Sequence, residues 1–63
     1  LAPRLSSREV EVADLVRSGV VNKEIAEMLG ISETTVERHR HNIRRKLRID
    51  NEHVNLSTFL RSP

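Results

Sequence analysis

Within eleven residues, 38–48, the chain places six cations, Arg38, Arg40, Arg44, Arg45, Lys46 and Arg48, with no acidic side chain among them. Cations at this density suit the binding of a polyanion, since each one can replace a counterion on a phosphate. Arginine adds a planar fork that fits guanine O6 and N7 in a major groove. Glu37, just ahead of the run, repels phosphate but can accept a hydrogen bond from cytosine N4. It can equally form an i, i+3 ion pair with Arg40, worth a few tenths of a kcal/mol (~0.2–0.5). His39 and His41 look like a metal pair on paper. Residues at i and i+2 of a helix point roughly 200° apart, so they cannot share one ion. With no cysteine in the chain, thiolate metal sites and disulfides are excluded. No carboxylate pair has a cavity around it, and the hydroxyls cluster at helix starts where capping accounts for them. The sequence therefore predicts neither catalysis nor a cofactor nor a metal, and it predicts a surface for an anionic partner.

A surface of that kind needs a rod to carry it. From Glu33 onward no Gly or Pro interrupts a helix for a dozen residues or more, and Ser32 is placed to cap its start. Val36, Ile43 and Leu47 fall at i, i+7 and i+11, stacked on one side of the helical period. Steps of about 100° put Thr34, Arg38, His41 and Arg45 on the other side, flanked by Glu37, Arg44 and Arg48. One helix thus carries an apolar seam and a basic, hydrogen-bonding ridge.

The remaining elements follow from local signals. Residues 1–5, with Pro3 at their centre, read as a linker or disordered arm. The folded domain is expected over residues 6–61, with helices at about 7–18, 23–29, 33–48 and 52–60 and no strands, an all-α class. Ser6-Ser7-Arg8-Glu9 matches a capping box. Val10, Ala13, Leu15 and Val16 form the expected stripe of the first helix, with Val12 a further candidate, and Gly19 stops it. Asn22 is the expected cap of a second helix that buries Ile25, Ala26 and Leu29 and ends at Gly30. Gly30-Ile31-Ser32 is then a tight turn into the third helix, which makes a helix-turn-helix. Asp50 or Asn51 should cap the fourth helix, where Leu56, Phe59 and Leu60 point inward. Val54, Ser57, Thr58 and Arg61 lie on its other side, the best place on the chain for self-association.

Size and charge narrow the class. Sixty-three residues make one small domain, near the limit for folding on its own core. No apolar run approaches the ~20 residues of a membrane span, and no signal peptide is visible. A net charge of +2 conceals a sharp division. Residues 1–37 hold four basic and seven acidic side chains, whereas the basic run is wholly cationic. General solubility does not require such a cluster. The composition suits a reducing cytoplasm, and a first residue other than Met suggests a piece of a longer chain.

Three separated motifs then acquire a common meaning. Leu5-Ser6-x-Arg8-Glu9-x-Glu11-Val12, Gly19-x-x-Asn22-Lys23-Glu24-Ile25-Ala26 and Ile31-Ser32-Glu33-x-Thr35-Val36-x-x-His39-x-x-Asn42-Ile43-x-x-Lys46-Leu47 resemble the LuxR-type helix-turn-helix domain. The resemblance covers roughly residues 5–60. It implies a four-helix domain at the C-terminus of a bacterial transcription regulator, governed by an N-terminal receiver, PAS or ligand-binding domain. It also implies binding to inverted-repeat DNA as a homodimer paired through the fourth helix. Two positions depart from the pattern: Glu37 stands where the family often has a DNA-contacting Lys, and Arg48 where Gly is common. The Arg at 48 is expected to lengthen the third helix by about a residue.

The expected function is sequence-specific binding of duplex DNA in transcription regulation, with the third helix in the major groove. Glu37, Arg38 and His41 are the base-reading candidates, near the N-terminal half that usually reaches base edges. Asn22, Lys23, Thr34, Thr35, Arg44, Arg45, Lys46 and Arg48 are the phosphate candidates. Plain capping at Asn22, a helix-start role for Thr35 and a structural role for Lys46 are the alternatives. Two rival functions stand beside this reading, a sigma-factor-like promoter-reading domain and a small helical protein-interaction module without DNA.

Overall fold

A computed structural model describes residues 4–48 and 55–61 of the chain. Four helices follow in order, α1 (Ser7–Arg17), α2 (Asn22–Leu29), α3 (Glu33–Lys46) and α4 (Leu56–Arg61), with no strand among the described residues. α1 is the hub: α3 and α4 both pack on it, and α2 packs on α3. None of the helices is long and apolar enough to cross a membrane among the described residues.

The core is a single cluster drawn from all four helices. Val12 and Val16 of α1, Ile25 of α2, Val36 and Ile43 of α3 and Leu56 of α4 are fully or almost fully buried, with Ala13 and Ala26 filling the close approaches. Burial of each large side chain contributes about 1.5–3 kcal/mol. α1 turns its stripe differently from the sequence expectation. Val12 is wholly buried and Val10 is 45% exposed, because Val10 sits roughly 160° around the helix from Val12. The buried face is Glu9, Val12, Ala13 and Val16 instead. Leu5, assigned to the arm, packs against this core together with Leu60.

Helix starts follow local chemistry at two places and depart from it at two others. At α1 the expected box is complete: Ser6 N–H donates to Glu9 Oε1 at 2.7 Å, and Glu9 N–H donates to Ser6 Oγ at 3.2 Å. Ser32 Oγ accepts from Thr35 N–H at 3.0 Å at the start of α3. Asn22 does not cap α2. Ile25 N–H closes the first turn on the Val21 carbonyl, so Val21 holds the cap position without a side-chain bond and Asn22 is already helical. At α4 the Asn55 side chain accepts from Thr58 N–H at 3.2 Å, which starts that helix later than residue 52. The expected caps Asp50 and Asn51, residues 52–54 and the Phe59 side chain lie outside the described residues.

Helix ends share one device. After α1, Gly19 has φ +87°, and Val20 N–H reaches the Leu15 carbonyl at 3.0 Å. After α2, Gly30 has φ +67°, and Ile31 N–H reaches the Ala26 carbonyl at 3.0 Å. These left-handed residues hand the final carbonyls to the chain beyond the helix. α3 stops the same way at Arg48, with φ +58°, so the helix ends at Lys46 and is not lengthened to residue 48. An L side chain there is strained by about 1–2 kcal/mol. Arg48→Gly should therefore stabilise the domain by roughly 0.5–1 kcal/mol after the entropy of a freer unfolded chain is subtracted. Urea denaturation measures this, and an unchanged or lowered midpoint would contradict the strain.

The end of α3 is tied to the start of α1. Lys46 Nζ lies 2.6 Å from Glu9 Oε1, and the Glu9 side chain is 5% exposed against 33% for Lys46. Lys46, a phosphate candidate from the sequence, is thus a structural cation held by the capping-box carboxylate. The Lys46 hydrogen bond and then the Ser6 backbone N–H hold the Glu9 carboxyl below its ordinary value, against the opposing effect of burial. A carboxyl lowered on folding contributes stability above its unfolded value, near 4.5, and loses it as pH falls through the folded value. Lys46→Met should cost about 1–3 kcal/mol at pH 7, discounted for the partial exposure of the lysine. It should also flatten the acid limb of the stability–pH curve. Thermal melts from pH 7 to pH 3 check both, and a variant as acid-sensitive as the parent would remove this ion pair from the account.

Candidate nucleic-acid interface

α3 presents its two sides as a contrast of burial. Val36 and Ile43 have no exposed surface, whereas Thr34, Arg38, His41 and Arg45 are exposed on the opposite side. Glu37 and Arg48 are exposed beside them, and Arg44 is half-buried. Among the described residues the salt bridges occupy Arg8 with Glu11, Arg17 with Asp14, and Lys46 with Glu9. None of them draws on Arg38 or Arg45. The exposed ridge therefore keeps donors aimed outward on a rod anchored along its other edge. Glu37 and Arg40 form no ion pair among the described residues, so the i, i+3 pairing open to Glu37 is not made.

The other candidates divide by placement. Lys23 is exposed in the first turn of α2, and Asn22 beside it is half-buried. Thr34 is exposed. Thr35 is half-buried with its hydroxyl 2.9 Å from Ser32 Oγ, so it belongs to the helix start. His39 is half-buried, with Nδ1 enclosed and without a hydrogen-bond partner, in keeping with a packing residue. Among the described residues no group of three or more His, Asp or Glu side chains is placed to hold a metal ion.

On α4 the expected self-association side is only partly available. Ser57 Oγ donates to the Val16 carbonyl at 3.0 Å and is half-buried, so it fastens α4 to α1 and leaves the dimer-face set. The Val16 carbonyl near the end of α1 already accepts from Gly19 N–H at 3.0 Å, and the hydroxyl adds a second bond to it from α4. Thr58 is exposed. Val54 and the Arg61 side chain lie outside the described residues.

In the sequence Arg40 is a member of the basic run and a possible ion-pair partner of Glu37, with no site of its own. The structure places it half-buried in a cleft of about 310 Å³, with Val16, Val20, Val21, Asn22 and Asn55 among the walls. Burial first, and then the neighbouring Arg44, pull its guanidinium below the ordinary value. One signal was available. Arg40 and Arg44 are four residues apart and share a flank between the apolar seam and the ridge.

Comparison with known proteins bears directly on this geometry. Residues 3–57 match the family described as bacterial regulatory proteins, luxR family. The chain is 43% identical over 58 residues to the uncharacterized response regulatory protein YgeK of Escherichia coli K12, covering 92% of this chain and 40% of that one. It is 51% identical over 45 residues to the response regulator protein TodT of Pseudomonas putida, covering 71% and 20% respectively. It is 53% identical over 47 residues to the transcriptional regulatory protein TdiR of Thauera aromatica, covering 75% and 21%. The chain thus spans between a fifth and two fifths of the length of these relatives. No solved structure matches it at comparable stringency.

Proposed function

The chain belongs to the luxR family of bacterial regulatory proteins, and from that premise we propose that it reads duplex DNA with α3 in the major groove. One observation carries the reading: the helix with two wholly buried apolar residues exposes Arg38, His41 and Arg45 on its far side. A major groove about 12 Å wide admits a helix presented in this way. Arg38 is the guanine reader, with His41 and Glu37 beside it on the exposed side. Arg44, Arg45 and Arg48 lie toward the C-terminal end, where the helix leaves the groove and passes the phosphates. Lys23 and Thr34, each in the first turn of its helix, take further phosphates. Relatives named as response regulators, all much longer than this chain, support a receiver domain that governs the reader from elsewhere in a longer protein. Its place of action is then the bacterial cytoplasm, where the chromosome lies.

Titration of a duplex selected from a random pool, over a range of salt, tests the reading. Log affinity should fall linearly with log salt at a slope near −0.9 for each phosphate neutralised, and Arg45→Ala should reduce that slope by about 0.9. Arg38→Ala should cost about 1–3 kcal/mol and relax preference at a single base position. Uniform weakening across sequences would make Arg38 a backbone contact. Binding without salt dependence would sink the DNA reading and favour a protein-interaction module.

Pairing through α4 completes the proposal, with Val54, Thr58 and Arg61 as its face. A two-fold protein arrangement matches half-sites one helical turn apart. Val54→Asp should abolish cooperative occupation of a two-half-site duplex while leaving binding to a single half-site within about twofold, a difference of ~0.4 kcal/mol. Gel-shift titration on both duplexes decides it, and intact cooperativity would remove α4 from the pairing.

A further inference from the structure

We infer that the cleft where the end of α1, the start of α2, the middle of α3 and the start of α4 meet holds one phosphate of the DNA backbone, with the Arg40 guanidinium as its cation. The inference rests on the DNA reading and adds a contact away from the exposed ridge. Among the described residues Arg40 is the one charged side chain lining the cleft, and no acidic one shares the walls. It has no ion pair or hydrogen bond among the described residues. Lys46, another half-buried cation of the same helix, has Glu9 at 2.6 Å. A cation withdrawn from water without a counter-charge is costly, and a second cation, Arg44, raises that cost here. An oxyanion in the cleft offsets both effects. The volume, about 310 Å³, is at the small end of ligand pockets and admits a phosphate group.

Position favours a backbone phosphate over a free ion. Arg40 lies one turn before Arg44 along the same flank of α3, so a strand neutralised by Arg44 and Arg48 passes within reach of the cleft mouth. Val21 at that mouth is 60% exposed and caps α2 without a side-chain bond. Val21 and Asn22 at the start of α2 line the same cleft, so the positive end of that helix adds to the potential Arg40 sets up.

Two substitutions separate binding from folding. Arg40→Gln should lower duplex affinity about tenfold, as expected for one lost charged hydrogen bond. The loss should be uniform across sequences, with the salt slope reduced by about 0.9. Val21→Asp should supply the missing cap and raise the melting temperature by about 4–8 °C. Its carboxylate should weaken duplex binding by a similar factor, so stability and affinity move in opposite directions. If Arg40→Gln fails to fold, Val21→Asp carries the test alone.

A wild-type chain that binds no duplex would overturn the DNA reading itself. Wild-type binding that responds to Arg45→Ala but not to Arg40→Gln or Val21→Asp would overturn this inference only. Inorganic phosphate provides the remaining arm. A phosphate-dependent rise in melting temperature that Arg40→Gln abolishes, with the duplex salt slope unchanged, would make the cleft a free-anion site and reject the backbone assignment.

Discussion

The burial of one edge of α3 is the constraint on which the other features depend. Val36 and Ile43 have no exposed surface, and together they bring about 3–6 kcal/mol of apolar burial to a domain of marginal size. Rotating α3 by half a turn would expose both and carry Arg38 and Arg45 toward the core, where neither would meet a counter-charge among the described core residues. The outward aim of the basic ridge is therefore not an independent feature. It is the other side of a packing decision made by α1 and α2.

Charge is arranged to agree with that packing. Arg38 and Arg45 on the ridge are exposed with no ion pair among the described residues, while the lysine that must lie beside α1 is given one. Glu9 serves two purposes there. It completes the cap of α1 and neutralises Lys46 near the end of α3, so the helix that organises the core also ties down the end of α3. Arg40 is the exception to this pattern, half-buried in a cleft with no counter-charge among the described residues. Natural proteins tend to break such local rules at functional sites, which is why the cleft is more informative than its size suggests.

Much of this was legible in the residues. The capping box at Ser6 and Glu9, the cap at Ser32 and the stops at Gly19 and Gly30 depend on neighbours within a turn, and such signals survive folding unchanged. The seam of Val36 and Ile43 was equally clear, because apolar residues at i, i+7 and i+11 of an uninterrupted helix share one side. Errors arose where a choice between similar local options was settled at a distance. Val10 and Val12 are alike in chemistry, and the position of α3 on α1 decided which was buried. Asn22 is a good cap by type, yet α2 begins one residue earlier than expected, at Asn22 itself, with Val21 in the cap position.

What the sequence determined by itself is the set of helices, their family and the two-sided character of α3, since periodicity and capping act over a few residues. Tertiary structure alone decided what each polar side chain meets. Lys46 became the partner of a carboxylate 37 residues away, Ser57 a fastening on α1, and Arg40 the lining of a cleft. Those outcomes depend on which groups of different helices come within hydrogen-bond reach, and a linear order of residues does not specify that distance.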